Sequence, residues 1–208
     1  MTSAPIRLVL ATHNAHKVAE LTRILGPQLE GFELVGYDGP EPVEDGDTFG
    51  ENALIKARAA ARHTGLPAIA DDSGICVEAL DGAPGILSAR YSGTRVDAEN
   101  LQKLLETMFG QLNRTAHFEC AAALVIPRSS GAGDGTTADQ EWTETGVWPG
   151  RLRNAASGVG GFGYDPIFAP DGYQSSAAEL APEEKNRVSH RAIAFGKLIG
   201  VVRASLPL

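Results

Sequence analysis

The sequence predicts a three-layer α/β fold built on a mixed sheet. Two observations lead there. Strand-then-helix units fill the first third of the chain, and adjacent strand-like runs follow without a helix between them after residue 115. At 208 residues the chain suits one large domain or two closely joined lobes, and it can bury a core without disulfide or metal staples.

The elements come in order. "IRLVLAT" (6–12) is a short apolar run rich in Ile, Val and Leu and reads as a buried strand. "HNAHKVAELTRIL" follows, with Val18, Leu21, Ile24 and Leu25 at helical spacing and Gly26-Pro27 as a stop. "FELVGY" (32–37) is a second strand, and the acidic loop "DGPEPVEDGD" leads to Thr48-Phe49-Gly50-Glu51, a capping box in front of "NALIKARAAARH", closed by Gly65. "LPAIA" and "ICVEAL" are expected as two short strands joined by a turn that holds Asp71 and Asp72. "DGAPGILSARYSGT" reads as an ordered loop. A helix from about Asp97 places Leu101, Leu104, Leu105 and Met108 on one face and stops at Gly110. "AHFECAAALVIP" and "EWTETGVW" are strands joined by the low-complexity "RSSGAGDGTTADQ" (128–140), whose composition suits a flexible hairpin loop without chemistry. A short acidic turn and a last helix around "HRAIAFGKLIGVVRASL" end the chain.

Composition excludes several function classes. The net charge of −8 argues against non-specific DNA or RNA binding, although a local pocket and a divalent cation can still receive a small anion. No run approaches the roughly 20 apolar residues of a membrane span, and "MTSAPIRLVLAT" lacks the pattern of a secretory leader, so the expected location is the cytoplasm. Cys76 and Cys120 sit in strand-like surroundings without zinc-site sequence spacing and read as buried free thiols.

Four groups of residues can carry chemistry. Thr12-His13-Asn14-Ala15-His16-Lys17 lies at a strand end and a helix start, where backbone N–H groups and a lysine one turn in can cradle phosphate; the same residues also suit a plain helix cap. Glu44, Asp45, Glu51, Asp71 and Asp72 supply the oxygens a hard divalent cation prefers, with Glu51 equally explained by its capping box. Gly158 to Gly163 formally matches G-x-G-x-x-G, but "YDPIF" stands where a helix would begin, which rejects a dinucleotide site. Phe162 and Tyr164 there could stack on a flat ring or fill the core. Lys185, His190 and Arg191, with Ser189 as a candidate N-cap between them, could hold phosphate or read acceptor atoms of a base.

Taken together, "ATHNAHK", "TFGENALIKA", "IADDSGICVEALDGAPGILSARYSG", "GGFGYDPIF" and "EEKNRVSHRAIAF" resemble the inosine triphosphate pyrophosphatase family, from about residue 6 to the last helix. The resemblance implies a long mixed sheet flanked by helices, with a substrate cleft between two lobes. It also implies Mg2+-dependent hydrolysis of ITP, dITP and XTP to the monophosphate and diphosphate, by a homodimer that cleanses the nucleotide pool. Carried over by motif, Thr12, His13, Asn14, Ala15, His16 and Lys17 would meet the triphosphate, and Glu44 and Asp72 the metal. Asp72 would be the catalytic base with Ser73 beside the substrate. Phe162, Gly163, Tyr164, Asp165, Lys185, His190 and Arg191 would line the nucleoside pocket. The residues by themselves leave open a non-catalytic nucleotide-binding regulator or a phosphatase of another phosphorylated metabolite.

Overall fold

Residues 4–128 and 138–207 are described by the structure, a computed structural model. The expected loop at 128–140 falls mostly outside them. Six strands form one sheet in the order β2-β1-β3-β4-β5-β6: β1 is Ile6–Leu10, β2 Phe32–Gly36, β3 Ala68–Val77, β4 Thr115–Ile126, β5 Gln140–Leu152 and β6 Phe168–Pro170. β1 runs parallel to β2 and β3, whereas β5 and β6 are antiparallel, so the sheet is mixed as predicted. The five α-helices among the described residues are α1 (Ala15–Leu25), α2 (Phe49–Thr64), α3 (Asp97–Thr107), α4 (Pro182–Val188) and α5 (His190–Ser205), and helices cover both sides of the sheet.

Helix starts follow their local chemistry. Asn14 caps α1 by accepting from the N–H groups of His16 and Lys17, and α2 begins with the full Thr48–Glu51 capping box and ends at Gly65 in the left-handed region. Ser189 Oγ accepts from the Ala192 N–H at 3.3 Å at the head of α5, and α4 occupies the stretch expected to be an acidic turn.

The main departure is β3. "ADDSG" is no turn: it lies inside a ten-residue strand. Asp, Ser and Gly are poor strand formers in isolation, but β propensity yields to what surrounds each side chain. Here the carboxylates find cationic partners, and Gly74 is required because a Cβ would run into the Gly85 carbonyl and the Ser88 hydroxyl.

The chain divides into two compact units, one of residues 1–72, 121–145 and 194–208, the other of 73–120 and 146–193. The first buries Leu8, Leu10, Leu21, Ile69 and Leu124 together with the α2 alanines Ala53, Ala57, Ala60 and Ala61. The second has a core of Ile75, Val77, Leu104, Met108, Phe118, Trp148, Tyr164, Ile167 and Phe168, where each fully buried large side chain contributes about 1.5–3 kcal/mol.

Candidate active site

In the first unit, three carboxylates meet two lysines. The pleat of β3 sends Asp71 and Asp72 to opposite sides of the strand. Asp71 accepts from Lys17 Nζ of α1 at 2.8 Å, and Asp72 accepts from Lys56 Nζ at 3.1 Å and Asn52 Nδ2 at 3.3 Å, both of α2. Glu44 stands 3.4 Å from the same Lys56 Nζ, while Asp45 is exposed. Asn52 Oδ1 also accepts from the Gly46 N–H at 2.9 Å, which fastens the acidic loop to α2. Three carboxylates against two ammonium groups leave one net negative charge, and Glu44 and Asp72, which share Lys56, offer oxygen atoms of the kind a hard divalent cation prefers.

The electrostatics follow from this packing. Asp72 is 8% exposed, and burial pushes its carboxyl above the ordinary range even though Lys56 and Lys17 pull it down. For Lys56, burial lowers proton affinity, but Asp72, Asp71 and Glu44 together outweigh it and the net shift is upward.

At the start of α1, the His16 and Lys17 N–H groups are engaged by Asn14, at 2.9 and 3.2 Å, and the Asn14 N–H donates to Thr12 Oγ at 3.2 Å. The expected phosphate cradle is therefore a closed cap here, and Asn14 must turn away before those donors can serve a ligand. His13 Nε2 lies 3.0 Å from the Gly39 carbonyl; Asn14, Ala15 and His16 are exposed.

In the second unit, the half-buried Phe162 ring is flanked by two cations, Lys185 Nζ at 5.4 Å and the Arg191 guanidinium at 5.0 Å from its centroid. Lys185 forms a buried pair with Asp165 at 2.7 Å, and the same carboxylate oxygen accepts from the Phe162 N–H at 2.9 Å. Arg191 Nη2 donates to Ser73 Oγ at 2.8 Å, and the Gly163 N–H donates to Asp97 at 3.0 Å. Two expected lining residues sit deeper. Tyr164 belongs to the apolar core, with its hydroxyl donating to the Ser88 carbonyl at 2.8 Å and its proton affinity raised well above a normal phenol, mainly by burial. His190 is 1% exposed and stacks face to face on Phe118, centroids 4.7 Å apart, so its ring is core packing.

A sequence model of the Ham1 family matches residues 8–201. The chain belongs to the Ham1 family. A dITP/XTP pyrophosphatase of Leifsonia xyli subsp. xyli is 54% identical over 202 residues, covering 96% of both chains. One of Pseudomonas aeruginosa is 48% identical over 194 residues, 92% of this chain and 94% of that one. Among solved structures, a HAM1 protein from Coxiella burnetii superimposes with a TM-score of 0.80 at 41% identity, over 96% of this chain and 99% of that one. A nucleoside-triphosphatase, or dITP/XTP pyrophosphatase, from Mycobacterium abscessus gives 0.70 at 41% identity, over 98% and 100%.

In this Ham1 family chain, the residues that sequence reasoning missed are Asn52 and Lys56, which hold Asp72, and Asp97, which holds the Gly163 N–H. Asn52 and Lys56 lie within the quoted stretch "TFGENALIKA", and their i, i+4 spacing places them on one face of an otherwise alanine-rich helix. Neither cysteine takes part: Cys120 is buried, and burial together with Glu119 pushes the half-buried Cys76 thiol up to about 11. No helix among the described residues is long and apolar enough to cross a membrane.

Proposed function

We propose that the chain hydrolyses deaminated purine nucleoside triphosphates (ITP, dITP and XTP) to the nucleoside monophosphate and diphosphate, with Mg2+ as cofactor. The observation that carries this reading is the buried Asp72 carboxylate, held by Lys56 and Asn52 with Glu44 on the same lysine. The names of the relatives, dITP/XTP pyrophosphatases of several bacteria, support the reaction class. Homodimeric assembly and a cytoplasmic setting belong to the same proposal and rest on the family resemblance.

Glu44 and Asp72 would hold the Mg2+, whose charge would offset the repulsion that builds on a triphosphate. Lys17 and Lys56 would bind phosphate oxygens, each leaving its carboxylate in part as the anion arrives. Asp72 would orient an attacking water and accept its proton, a role suited to a buried carboxylate fixed in place by Lys56 and Asn52. Attack at the α-phosphorus would expel diphosphate. The nucleoside would stack on Phe162, with Arg191 and Lys185 donating to acceptor atoms of the base. A 6-oxo group accepts such a donor and the 6-amino group of adenine does not, and hydrogen-bonding sites of this kind discriminate by factors on the order of 10⁴.

A panel of ITP, XTP, ATP and GTP with product analysis tests the reading. The expected products are monophosphate and diphosphate from ITP and XTP, with ATP turned over far more slowly. Release of orthophosphate, or equal turnover of ATP, would overturn it. Asp72→Asn should lose turnover while retaining nucleotide binding.

A further inference from the structure

We propose that Cys76, His117 and Glu119 form a second metal site, separate from the carboxylate set at Asp72, that takes a soft divalent transition cation, Zn2+ before others. One ligand atom from each of the three lies within 4.8 Å of the other two, and His117 Nε2 stands 3.8 Å from Glu119 Oε2. Tetrahedral ligands at ordinary zinc distances are about 3.3–3.8 Å apart, so the cluster closes on an ion with side-chain shifts of about 1 Å or less.

The strands hold these ligands on one face. His117 and Glu119 are two apart on β4, while Ala116 and Phe118 turn the other way into the core of their unit. Ile75 and Val77 do the same on either side of Cys76 on the neighbouring β3. The backbone around Cys76 is tied down, because the Ile75 N–H donates to Ser88 Oγ at 3.0 Å and the Val77 N–H to the Ala83 carbonyl at 3.2 Å. The thiol is thus presented by a rigid stretch, which lowers the cost of assembling the site. The His117 and Glu119 side chains, 32% and 31% exposed, leave a way in for the ion. Three protein ligands leave a fourth position open to water.

The donor set selects the metal. A thiolate and an imidazole favour Zn2+, Co2+ or Cu2+ over Mg2+, whereas Glu44 and Asp72 offer only oxygen, so the two sites divide cations by softness. Coordination converts the Cys76 thiol to thiolate, and its proton leaves to the buffer. Occupancy joins β3 to β4 and stabilises the fold by mass action.

The test uses the full chain, stripped with a chelator and then held in excess Mg2+ to fill the oxygen site. Added Co2+ should produce a thiolate-to-cobalt charge-transfer band, and calorimetric titration with Zn2+ should show one equivalent bound. The band should vanish in Cys76→Ser, and Zn2+ affinity should fall by at least roughly tenfold in His117→Ala and in the isosteric Glu119→Gln. Thermal midpoints of the metal-free variants check folding. If a variant fails to fold, peptide-level alkylation of the wild type decides instead, since Zn2+ should shield Cys76. A cobalt spectrum without the thiolate band, equal Zn2+ affinity in wild type and Cys76→Ser, or alkylation of Cys76 unaffected by Zn2+ would overturn the proposal. Mg2+-supported nucleotide hydrolysis by Cys76→Ser should stay at the wild-type level, so the outcome is independent of the proposed activity.

Discussion

Lys56→Met is the perturbation that bears most directly on the carboxylate set. The Lys56 ammonium, with a side chain 12% exposed, lies 3.1 Å from Asp72 Oδ1 and 3.4 Å from Glu44 Oε1. With an effective dielectric constant of about 20, each contact is worth about 5 kcal/mol of attraction before desolvation is counted. Most of that is offset by the cost of burying the ammonium, but removing one partner leaves the other charge uncompensated, which typically costs about 3–5 kcal/mol. Asp72 retains the Asn52 amide and the field of Lys17 and can also take up a proton, so the expected loss at neutral pH is about 2–4 kcal/mol. Urea unfolding of the chelator-treated protein, followed by circular dichroism, measures it. The sign of the pH dependence is set as well. Lys56 binds its proton more tightly when folded, so its contribution is whole below the ordinary lysine value and disappears as pH rises through the higher folded value. A double-mutant cycle with Asp72→Asn should recover a coupling of about 1–3 kcal/mol. A loss below about 0.5 kcal/mol, or a coupling near zero, would refute the account of how Asp72 is held.

Three further outcomes are expected. Gly161→Ala forces a side chain onto a residue at φ +69° and drives its Cβ into the Asp165 carboxylate. It should cost about 1–3 kcal/mol by thermal unfolding, and by loosening the Asp165–Lys185 pair it should raise KM for nucleotide more than it lowers kcat. Arg58→Ala removes a bidentate pair to Glu141, at 2.7 and 2.6 Å, whose side chains are 38% and 28% exposed; solvent screening limits the loss to about 0.5–1 kcal/mol, shrinking further in high salt. Alkylation of Cys76 in metal-free protein should accelerate by about tenfold per pH unit until about pH 11, and a plateau near 9 would contradict the burial seen here.

How much of the site was legible in the sequence depended on whether its signals were local. Asn14, Thr48, Glu51 and Gly65 act on backbone groups a few residues away, and each performs the capping role expected of it. β3 misled because Asp-Asp-Ser-Gly carries the composition of a turn, and only the lysines of α1 and α2 make it habitable as a strand interior. Tyr164 and His190 were expected beside the base, yet an aromatic next to a glycine turn reads the same whether it faces a ligand or the core; Ser88, Phe118 and Trp148 determine that they face inward.

The chain's own order of residues was enough to establish an α/β fold with a mixed sheet, the starts of α2 and α3 and the Ham1 kinship, because periodicity, caps and motif wording are properties of neighbouring residues; α4, read as an acidic turn, escaped it. Tertiary structure alone decided that Asp71 and Asp72 face opposite ways with a lysine each, and that Glu44, not Asp45, shares Lys56 with Asp72. It also brought Cys76 within reach of His117 and Glu119. The physical reason is the same in each case. A buried charge or a soft ligand takes its character from partners far away in sequence, and only folding brings those partners together.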